Sequence, residues 1–430
     1  MTSRRPNRLL PSTALGALLL TLIAQSAPAQ TAPSALQFEE RTVTGGPDQF
    51  MEVKHLTLRG SQRDIGAKLA EIARDQCGGR PWHVSDQDIA AAQRDYFQAV
   101  WPQHYARMQG AAATFGAAID DPKQNFTKIA FHVEDFFGCS VTFYPPSLTA
   151  DGRGVLSRNL DFSTGTMIGK RPDAEHPAAM SRPYVIESYP DEGHASLFIG
   201  TMDLLGSAFD GINEHGLCAA LLTDRELLER YPMAPRRDLT VGLSEIQLIR
   251  YLLETCATAA EAKSAILRAK HYYGFVPCHY IIADASGAAF VWEQSPDRNR
   301  NWFIENPGKP LVTTNFMLHL HDDPMALDPN EKGRGSVRRY QQLCRTIAAV
   351  DGPVDAAAIR AASAEVEAAF PAPPPHVPYA PERTLWHALY YPDDRSLEID
   401  FYLGETPTGG GRGRPEIQRS EVFRFRLAGE

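Results

Sequence analysis

The six cysteines of this 430-residue chain, Cys77, Cys139, Cys218, Cys256, Cys278 and Cys344, include no Cys-x-x-Cys pair. Their wide spacing argues against a zinc site and against the dense disulfide framework of a small secreted domain. A Gly-x-Ser-x-Gly nucleophile elbow is missing, and so is a His-Glu-x-x-His helix, so the chain offers neither of those serine- or zinc-hydrolase signatures. There is no surplus of basic charge. Lys and Arg number 43 against 52 Asp and Glu, a formal charge of −9, which disfavours a nucleic-acid partner. No internal repeat is found. Beyond the N-terminus, no apolar run is long enough to cross a bilayer.

What the N-terminus does contain is a basic start and an apolar core. Arg4, Arg5 and Arg8 precede Leu9 to Ala24, and Ala27-Pro28-Ala29 supplies small residues for cleavage. The reading is a signal peptide over 1–29 and an exported, periplasmic or secreted protein. An uncleaved anchor is the alternative. The remainder is ordinary globular composition, 43% hydrophobic and 22% charged, enough for one large domain or two medium ones.

One stretch organises the chain. In Phe136 to Tyr144 the residues alternate, with Cys139, Val141 and Phe143 on one side and Ser140, Thr142 and Tyr144 on the other. That is strand periodicity. Pro145-Pro146 stops the strand and Asp151-Gly152 turns it. A second strand, Gly154 to Phe162, then delivers Arg158, Asn159 and Asp161 beside the first. A cysteine, a guanidinium and a carboxylate thus meet in one hairpin. A neighbouring Arg favours the thiolate of a cysteine. Arg158 and Asp161 are three residues apart, so an unbroken strand faces them oppositely, and a bend or an end at Leu160 is expected.

The Gly138-Cys139 junction, the hairpin and the Arg158-Asn159-x-Asp161 strand resemble the cysteine N-terminal-nucleophile (Ntn) hydrolases. The resemblance is to the isopenicillin N or 6-aminopenicillanic acid acyltransferase type, with choloylglycine hydrolases as relatives. Further segments resemble that family in order: Gly60-Ser61 to Ile65-Gly66, the hairpin around Asn213 and Gly216, the strand end Thr314-Asn315, and Ser336-Val337-Arg338-Arg339. The resemblance implies an α+β fold, a four-layer αββα sandwich with antiparallel sheets. It implies self-cleavage between Gly138 and Cys139, leaving residues 30–138 as a mostly helical propeptide or small subunit and 139–430 as the catalytic large subunit. Cys139 is then nucleophile through its thiolate and base through its freed α-amine. Arg158 holds the thiolate, Asp161 binds the amine and Asn315 donates to the oxyanion. Asn159, Thr223 and Arg338 are supporting candidates. Thr223 stands where the choloylglycine relatives carry an oxyanion Asn, and Arg338 is favoured over Arg339.

The other segments read from pattern alone. Val53 to Leu58 is a strand, and Ser61 caps the helix that follows. Trp101-Pro102 interrupts the long helical region after Ser85, and residues 30–50 are an extended or disordered lead-in. Ser244 to Lys270 makes two helices, and Tyr280 to Glu293 a hairpin. Asp355 to Phe370 is a helix, and Arg383 to Leu403 a last hairpin, followed by a strand at Val422 to Leu427. His279 reads as a core or rim histidine, and Asn213 and Gly216 as turn residues. His319 and His321 share a strand face but lack a third ligand, so no metal and no cofactor are expected. The expected function is hydrolysis of a linear, non-peptide or N-acyl amide through an acyl-enzyme, with a small-molecule amide as partner. The two cleaved fragments are expected to stay associated, and a homo-oligomer is possible. The alternatives are an acyltransferase on the same acyl-enzyme, and a periplasmic binding protein in which Cys139 is inert. Replacing Arg158 or Asp161 is expected to cost activity far more than stability.

Overall fold

The structure is a computed structural model. It describes residues 35–129, 137–165, 178, 180–201, 203–224, 226–227, 240–274, 276–295, 300–331, 334–369, 380–406 and 415–428. The signal-peptide reading, residues 130–136 before the hairpin, most of the loop at 170–183 and the Pro-rich connector lie outside these residues.

Two large sheets form the middle of the molecule. The first takes nine strands, β1 (Gln37–Gly45), β2 (Glu52–Gly60), β5 (Tyr184–Pro190), β6 (Ser196–Gly200), β7 (Asp210–Asn213), β8 (Cys218–Thr223), β9 (Cys278–Ala283), β10 (Ala289–Ser295) and β11 (Arg300–Ile304), in that spatial order. The second takes seven. Its order is β12 (Leu311–Thr314), β3 (Phe137–Tyr144), β4 (Val155–Ser163), β13 (Glu382–Tyr391) and β14 (Ser396–Thr406), with β15 (Glu416–Arg419) and β16 (Phe423–Arg426) both pairing to β14. All pairings in both sheets are antiparallel except β2 with β5.

Helices cover both outer faces. α4 (Glu245–Thr255) lies on β7 and β8, and α5 (Ala259–Arg268) lies on β9. On the other side α6 (Gly335–Ala348) packs on β12 and β3, and α7 (Ala356–Ala364) on β4. The sheets meet face to face through β8 on β3 and β10 on β12. Helix, sheet, sheet, helix is the four-layer αββα order expected of an Ntn hydrolase, with antiparallel sheets.

The hairpin strand shows why this layering works. Cys139, Val141 and Phe143 join the large core between the sheets. Tyr144, on the other face, joins Val155, Leu389, Tyr391 and Ile359 of α7 in a separate cluster. Period-two alternation thus feeds two different cores from one strand.

The segment before Cys139 is not simply helical. α1 (Gln62–Cys77), α2 (Gln87–Val100) and α3 (Pro102–Thr114) are joined by two strands of the nine-stranded sheet, and β1 occupies much of the expected lead-in. β1 was hidden because it is an edge strand whose side chains are mostly exposed or half-buried, so it carries little apolar alternation. Ser61 caps α1, accepting from Asp64 N at 3.1 Å. α2 is capped by Asp86 rather than Ser85. α1 and α3 cross closely at two glycines. A Cβ on Gly66 would stand 2.3 Å from Arg107 O, and one on Gly110 would stand 1.9 Å from Arg63 O.

A buried ion cluster ties this segment to the rest. Glu254 of α4 accepts from Arg107 Nη2 at 3.0 Å, Arg250 Nε at 2.7 Å and Trp101 Nε1 at 2.8 Å. Burial acts to raise the Glu254 pKa, but Arg107 and Arg250 hold it below the ordinary carboxylate value. All six cysteines are free thiols.

Candidate active site

β4 lies in the interior of its sheet between β3 and β13, and all nine of its residues are buried. A charged group on such a strand must find a partner, because an unpaired buried charge is strongly disfavoured. Following those partners outlines the site.

Register fixes which face each residue takes. Cys139 stands opposite Leu160, Val141 opposite Arg158 and Gly138 opposite Asp161. Directly opposed residues share a face. Arg158 therefore points between the sheets with Cys139, and Asp161 points to the helix side with Gly138. β4 neither bends nor ends at Leu160. The irregularity is in β13, where the register shifts between Thr384 and Trp386 opposite Asp161 and Leu160.

On the inter-sheet face, Arg158 Nε donates to Asp210 Oδ2. Asp210 also accepts from Tyr390 OH and, at 3.2 Å, from Trp386 Nε1. Arg158 Nη1 and Nη2 are buried with no hydrogen-bond acceptor, and the Cys139 thiol is the ionisable group they face. Burial pushes the thiol pKa up, and Arg158 and Arg339 oppose that shift. Burial likewise acts against the charge on Arg158, but Cys139 and Asp210 hold its pKa above the ordinary value.

On the helix side, Asp161 Oδ1 accepts from Thr384 Oγ1 at 2.6 Å, and its Oδ2 lies 3.5 Å from Arg339 Nη1. Burial pushes Asp161 up to about 6, against the pull of Arg339 and Thr384. A Cβ on Gly138 would come within 3.0 Å of Asp161 Cβ and 3.3 Å of its Oδ2. Glycine at 138 therefore leaves room for a carboxylate over the peptide that precedes the cysteine.

The backbone of Cys139 is held by side chains on both sides of its peptide unit. Its N–H donates to Asn315 Oδ1 at 2.6 Å. Arg339 Nη1 donates to Cys139 O, and Arg339 Nη2 to Asn315 Oδ1 at 2.7 Å. Asn315 Nδ2 donates to Thr223 O at 2.7 Å. Cys139, Asn315 and Thr223 are all without solvent exposure.

The structure thus brings Cys139, Arg158, Asp161, Asn315, Thr223 and Gly138 together. Asn159 Nδ2 instead donates to Ser363 O of α7 at 2.8 Å, so it ties sheet to helix. Arg338 is corrected to Arg339. Arg338 is exposed, and its neighbour, about 100° further round the helix, reaches the Cys139 carbonyl and Asn315 Oδ1. Thr223 meets the site through its carbonyl, and its hydroxyl is buried without a partner. Asn315 uses its oxygen on the Cys139 amide and an N–H on the Thr223 carbonyl.

Asp210, Tyr390 and Trp386 were missed. Asp210 stands at the start of the first strand of a hairpin, and nothing local shows that this strand faces Arg158. His279 is buried, 3.0 Å from Thr313 Oγ1 and 3.7 Å from Asp224 Oδ2. His319 pairs with Glu293 and stacks on Trp302, and His321 pairs with Glu226. Asn213 closes its turn, accepting from His215 N and Leu217 N at 3.0 Å each. Two cavities lined by described residues, about 450 and 360 Å³, lie at the Phe143 and Tyr144 end of β3. That end is four to five residues, roughly 13–17 Å, along the strand from the thiol.

Residues 152–406 match the family model described as AAT, acyl-coenzyme A:6-aminopenicillanic acid acyl-transferase. The chain belongs to this family. Arg158, Asp161, Asn315 and Arg339 fall within the matched stretch, and Gly138 and Cys139 lie just before it. No curated protein matches the chain. Among solved structures, the chain is similar to a conjugated bile acid hydrolase from Clostridium perfringens, at 13% identity, covering 67% of this chain and 97% of that one with a TM-score of 0.43. It is similar to penicillin V acylase from Agrobacterium tumefaciens, at 16% identity, 67% and 86% coverage and a TM-score of 0.41. It is also similar to the Caenorhabditis elegans N-acylethanolamine-hydrolyzing acid amidase ortholog, at 16% identity, 59% and 93% coverage and a TM-score of 0.37.

Proposed function

We propose that this AAT-family protein is an exported amidohydrolase that cuts itself before Cys139 and then cleaves a linear N-acyl amide through an acyl-enzyme. The observation that carries the reading is the 2.6 Å hydrogen bond from Cys139 N to Asn315 Oδ1. A structural cysteine needs no side chain on its backbone nitrogen. A cysteine whose nitrogen becomes the catalytic base does, because the amine must stay in place once the chain before it is cut.

In the cleavage step, Cys139 Sγ attacks the Gly138 carbonyl carbon. The Gly138–Cys139 peptide bond breaks, the nitrogen takes a proton, and a thioester joins Gly138 to Sγ. Water then releases a Gly138 carboxylate and regenerates the thiol beside a free α-amine. That amine titrates near ~7.7–8.0, so it can take the thiol proton at neutral pH. Arg158 favours the thiolate on one face of β4, and Asp161 and Asn315 receive the ammonium on the other. The thiolate attacks the substrate carbonyl, the amine leaves with the proton from the Cys139 ammonium, and water deacylates the enzyme. The second N–H of Asn315 is the donor for the oxyanion, a contact worth about 10²–10³ in rate at such sites. Complete burial of Cys139 in the uncut chain fits a zymogen closed until cleavage. The buried Glu254 cluster and the β2–β5 pairing give the two fragments reason to stay together.

Acyl transfer to an amine is the second reading, favoured by the family's description. Both readings are tested by incubating the purified protein with a panel of N-acyl amides, with and without an amine acceptor. Free acid from the amides, together with a large fragment beginning Cys139-Ser140-Val141, is the expected result. Transfer product with negligible hydrolysis selects the second reading, and an uncut chain that turns over amides removes the amine-as-base mechanism.

A further inference from the structure

Away from the thiol, two turns at one end of the nine-stranded sheet bring His194, Glu214 and His215 together. His194 lies between β5 and β6, and Glu214 and His215 lie between β7 and β8. Ser196 pairs with Asn213, so these turns are neighbours across the β6–β7 ladder. We propose that His194 Nδ1, His215 Nε2 and Glu214 Oε1 bind one divalent transition-metal ion of the zinc type, clasping the two turns.

The geometry carries this. His194 Nδ1 is 3.1 Å from His215 Nε2 and 3.5 Å from Glu214 Oε1, and His215 Nε2 is 4.0 Å from the same Glu214 oxygen. A point equidistant from three atoms so spaced lies about 2.1 Å from each, the length of a zinc bond to imidazole nitrogen or carboxylate oxygen. The two rings are nearly perpendicular, at 81°, which lets both ring nitrogens approach one point without the rings clashing. The His194–His215 contact is within hydrogen-bonding range, and an ion bound at this point takes the place of the shared proton.

The groups behind the ligands are fixed as well. Glu214 Oε1 also accepts from Ala195 N at 3.0 Å, and Glu214 N donates to Ala195 O at 2.9 Å. His194 N donates to Glu254 O at 3.1 Å. His215 N donates to Asn213 Oδ1, while Asn213 Nδ2 donates to Leu253 O and Cys256 O. Such outer contacts orient metal ligands and tune their affinity. Glu261 adds negative charge near His194. The side chains keep between 28 and 44% exposure, so an ion has access, and a fourth position is left for water. The sequence hides the site because its ligands sit twenty residues apart in two turns with no recognised spacing.

The test is calorimetric titration of tag-free protein with zinc chloride in chelator-free buffer, paired with cobalt(II) absorption. One equivalent of zinc should bind, at least tenfold more weakly in His215→Ala and not at all in His194→Ala/His215→Ala. Glu214→Gln, which keeps size and hydrogen bonding, serves the same purpose if the double variant does not fold. Cobalt should give visible bands without the near-ultraviolet charge transfer of a thiolate ligand. Zinc should raise the unfolding midpoint of the wild type and not of the variants. Absence of saturable binding at sub-millimolar zinc would overturn the proposal. So would undiminished binding by the variants, which would put the ion elsewhere, or a thiolate signature, which would put it on a cysteine.

Discussion

Consider Arg158→Met, which removes the guanidinium but keeps much of the stem. Arg158 and Asp210 are both fully buried, so the variant leaves a carboxylate stranded between two sheets. Removing one partner of such a pair costs about 3–5 kcal/mol, a large share of the roughly 5–15 kcal/mol that holds a domain together. The sequence alone suggested that Arg158 matters for activity far more than for stability; the buried pair with Asp210 adds a structural role to the proposed catalytic one. Asp210→Asn in the same chain separates them. With both charges gone, most of the stability should return: the amide oxygen can accept from Trp386 Nε1, and the amide NH2 group can donate to the Tyr390 hydroxyl, which reaches the other Asp210 oxygen in the wild type. The thiol, however, has lost its neighbouring cation in single and double variants alike. Denaturant unfolding reads the first effect, and the pH dependence of Cys139 alkylation in the cleaved enzyme reads the second. The double variant should recover at least half of the lost stability while its alkylation midpoint stays displaced to higher pH. A single variant within about 1 kcal/mol of wild type would refute the ion-pair argument, which rests on the cost of a stranded buried charge. Wild-type alkylation in the double variant would refute the role assigned to Arg158.

Cys139→Ala should leave an uncut chain with no amide turnover, read on a denaturing gel and by product analysis. Gly138→Ala should slow self-cleavage at least tenfold, because its methyl group displaces Asp161; the rate of fragment appearance measures it. Arg339→Ala should impair cleavage and turnover, whereas Arg338→Ala, an exposed change, should shift stability by less than about 0.5 kcal/mol and leave kinetics intact. Asp161 titrates near 6 in the folded chain and near ~3.9 when unfolded. The folded state therefore binds its proton more tightly, and this group's contribution to stability is full below pH ~4 and lost as pH rises through about 6. Asp161→Asn in the uncut chain should remove that loss, so its stability relative to wild type should climb across this window and level off above it. Denaturant titrations at several pH values test the sign.

Much of the site was legible because it is local. Cys139, Arg158 and Asp161 lie in one hairpin, and alternation plus two turn signals set their order before any tertiary contact is known. The helices α4 and α5 were legible for the same reason: the apolar residues Ile246, Ile249, Leu252 and Leu253 recur at helical spacing in the first, and Thr258 with Glu261 makes a local start signal for the second. What could not be read is what a second sheet supplies. Asp210 reaches Arg158 only because β7 lies across the sandwich from β4, and no periodicity within β7 encodes that. The choice between Arg338 and Arg339 failed for a related reason. Both belong to the same short motif, and only the rotation of α6 on β12 and β3 decides which one points inward. β1 escaped notice because an edge strand with exposed side chains is held by backbone hydrogen bonds, which leave no mark on side-chain pattern.

The spacing of Arg158 and Asp161 carries the deeper lesson. Three residues apart on a strand looks like an obstacle if one site needs both on one face. It is instead what a cysteine using both thiol and amine requires. The thiol leaves Cβ toward the inter-sheet face, while the peptide bond proposed to be cut lies in the plane of the strand beside Gly138, whose partner across the ladder is Asp161. In the proposed mechanism an odd separation lets one strand serve the thiolate with a cation from one side and the nascent ammonium with an anion from the other. Had the two charges shared a face, they would have paired with each other in that dry interior, and neither would be left for the nucleophile. Moving the arginine therefore makes a sharp test. Arg158→Leu combined with Asn159→Arg puts the cation on Asp161's side of the sheet, where the carboxylate can capture it. That variant should fold less stably, because Asp210 is stranded, and should neither cleave itself nor alkylate at neutral pH. Self-cleavage at the wild-type rate would mean that the face from which the guanidinium acts does not matter, and the two-sided account of this strand would be wrong.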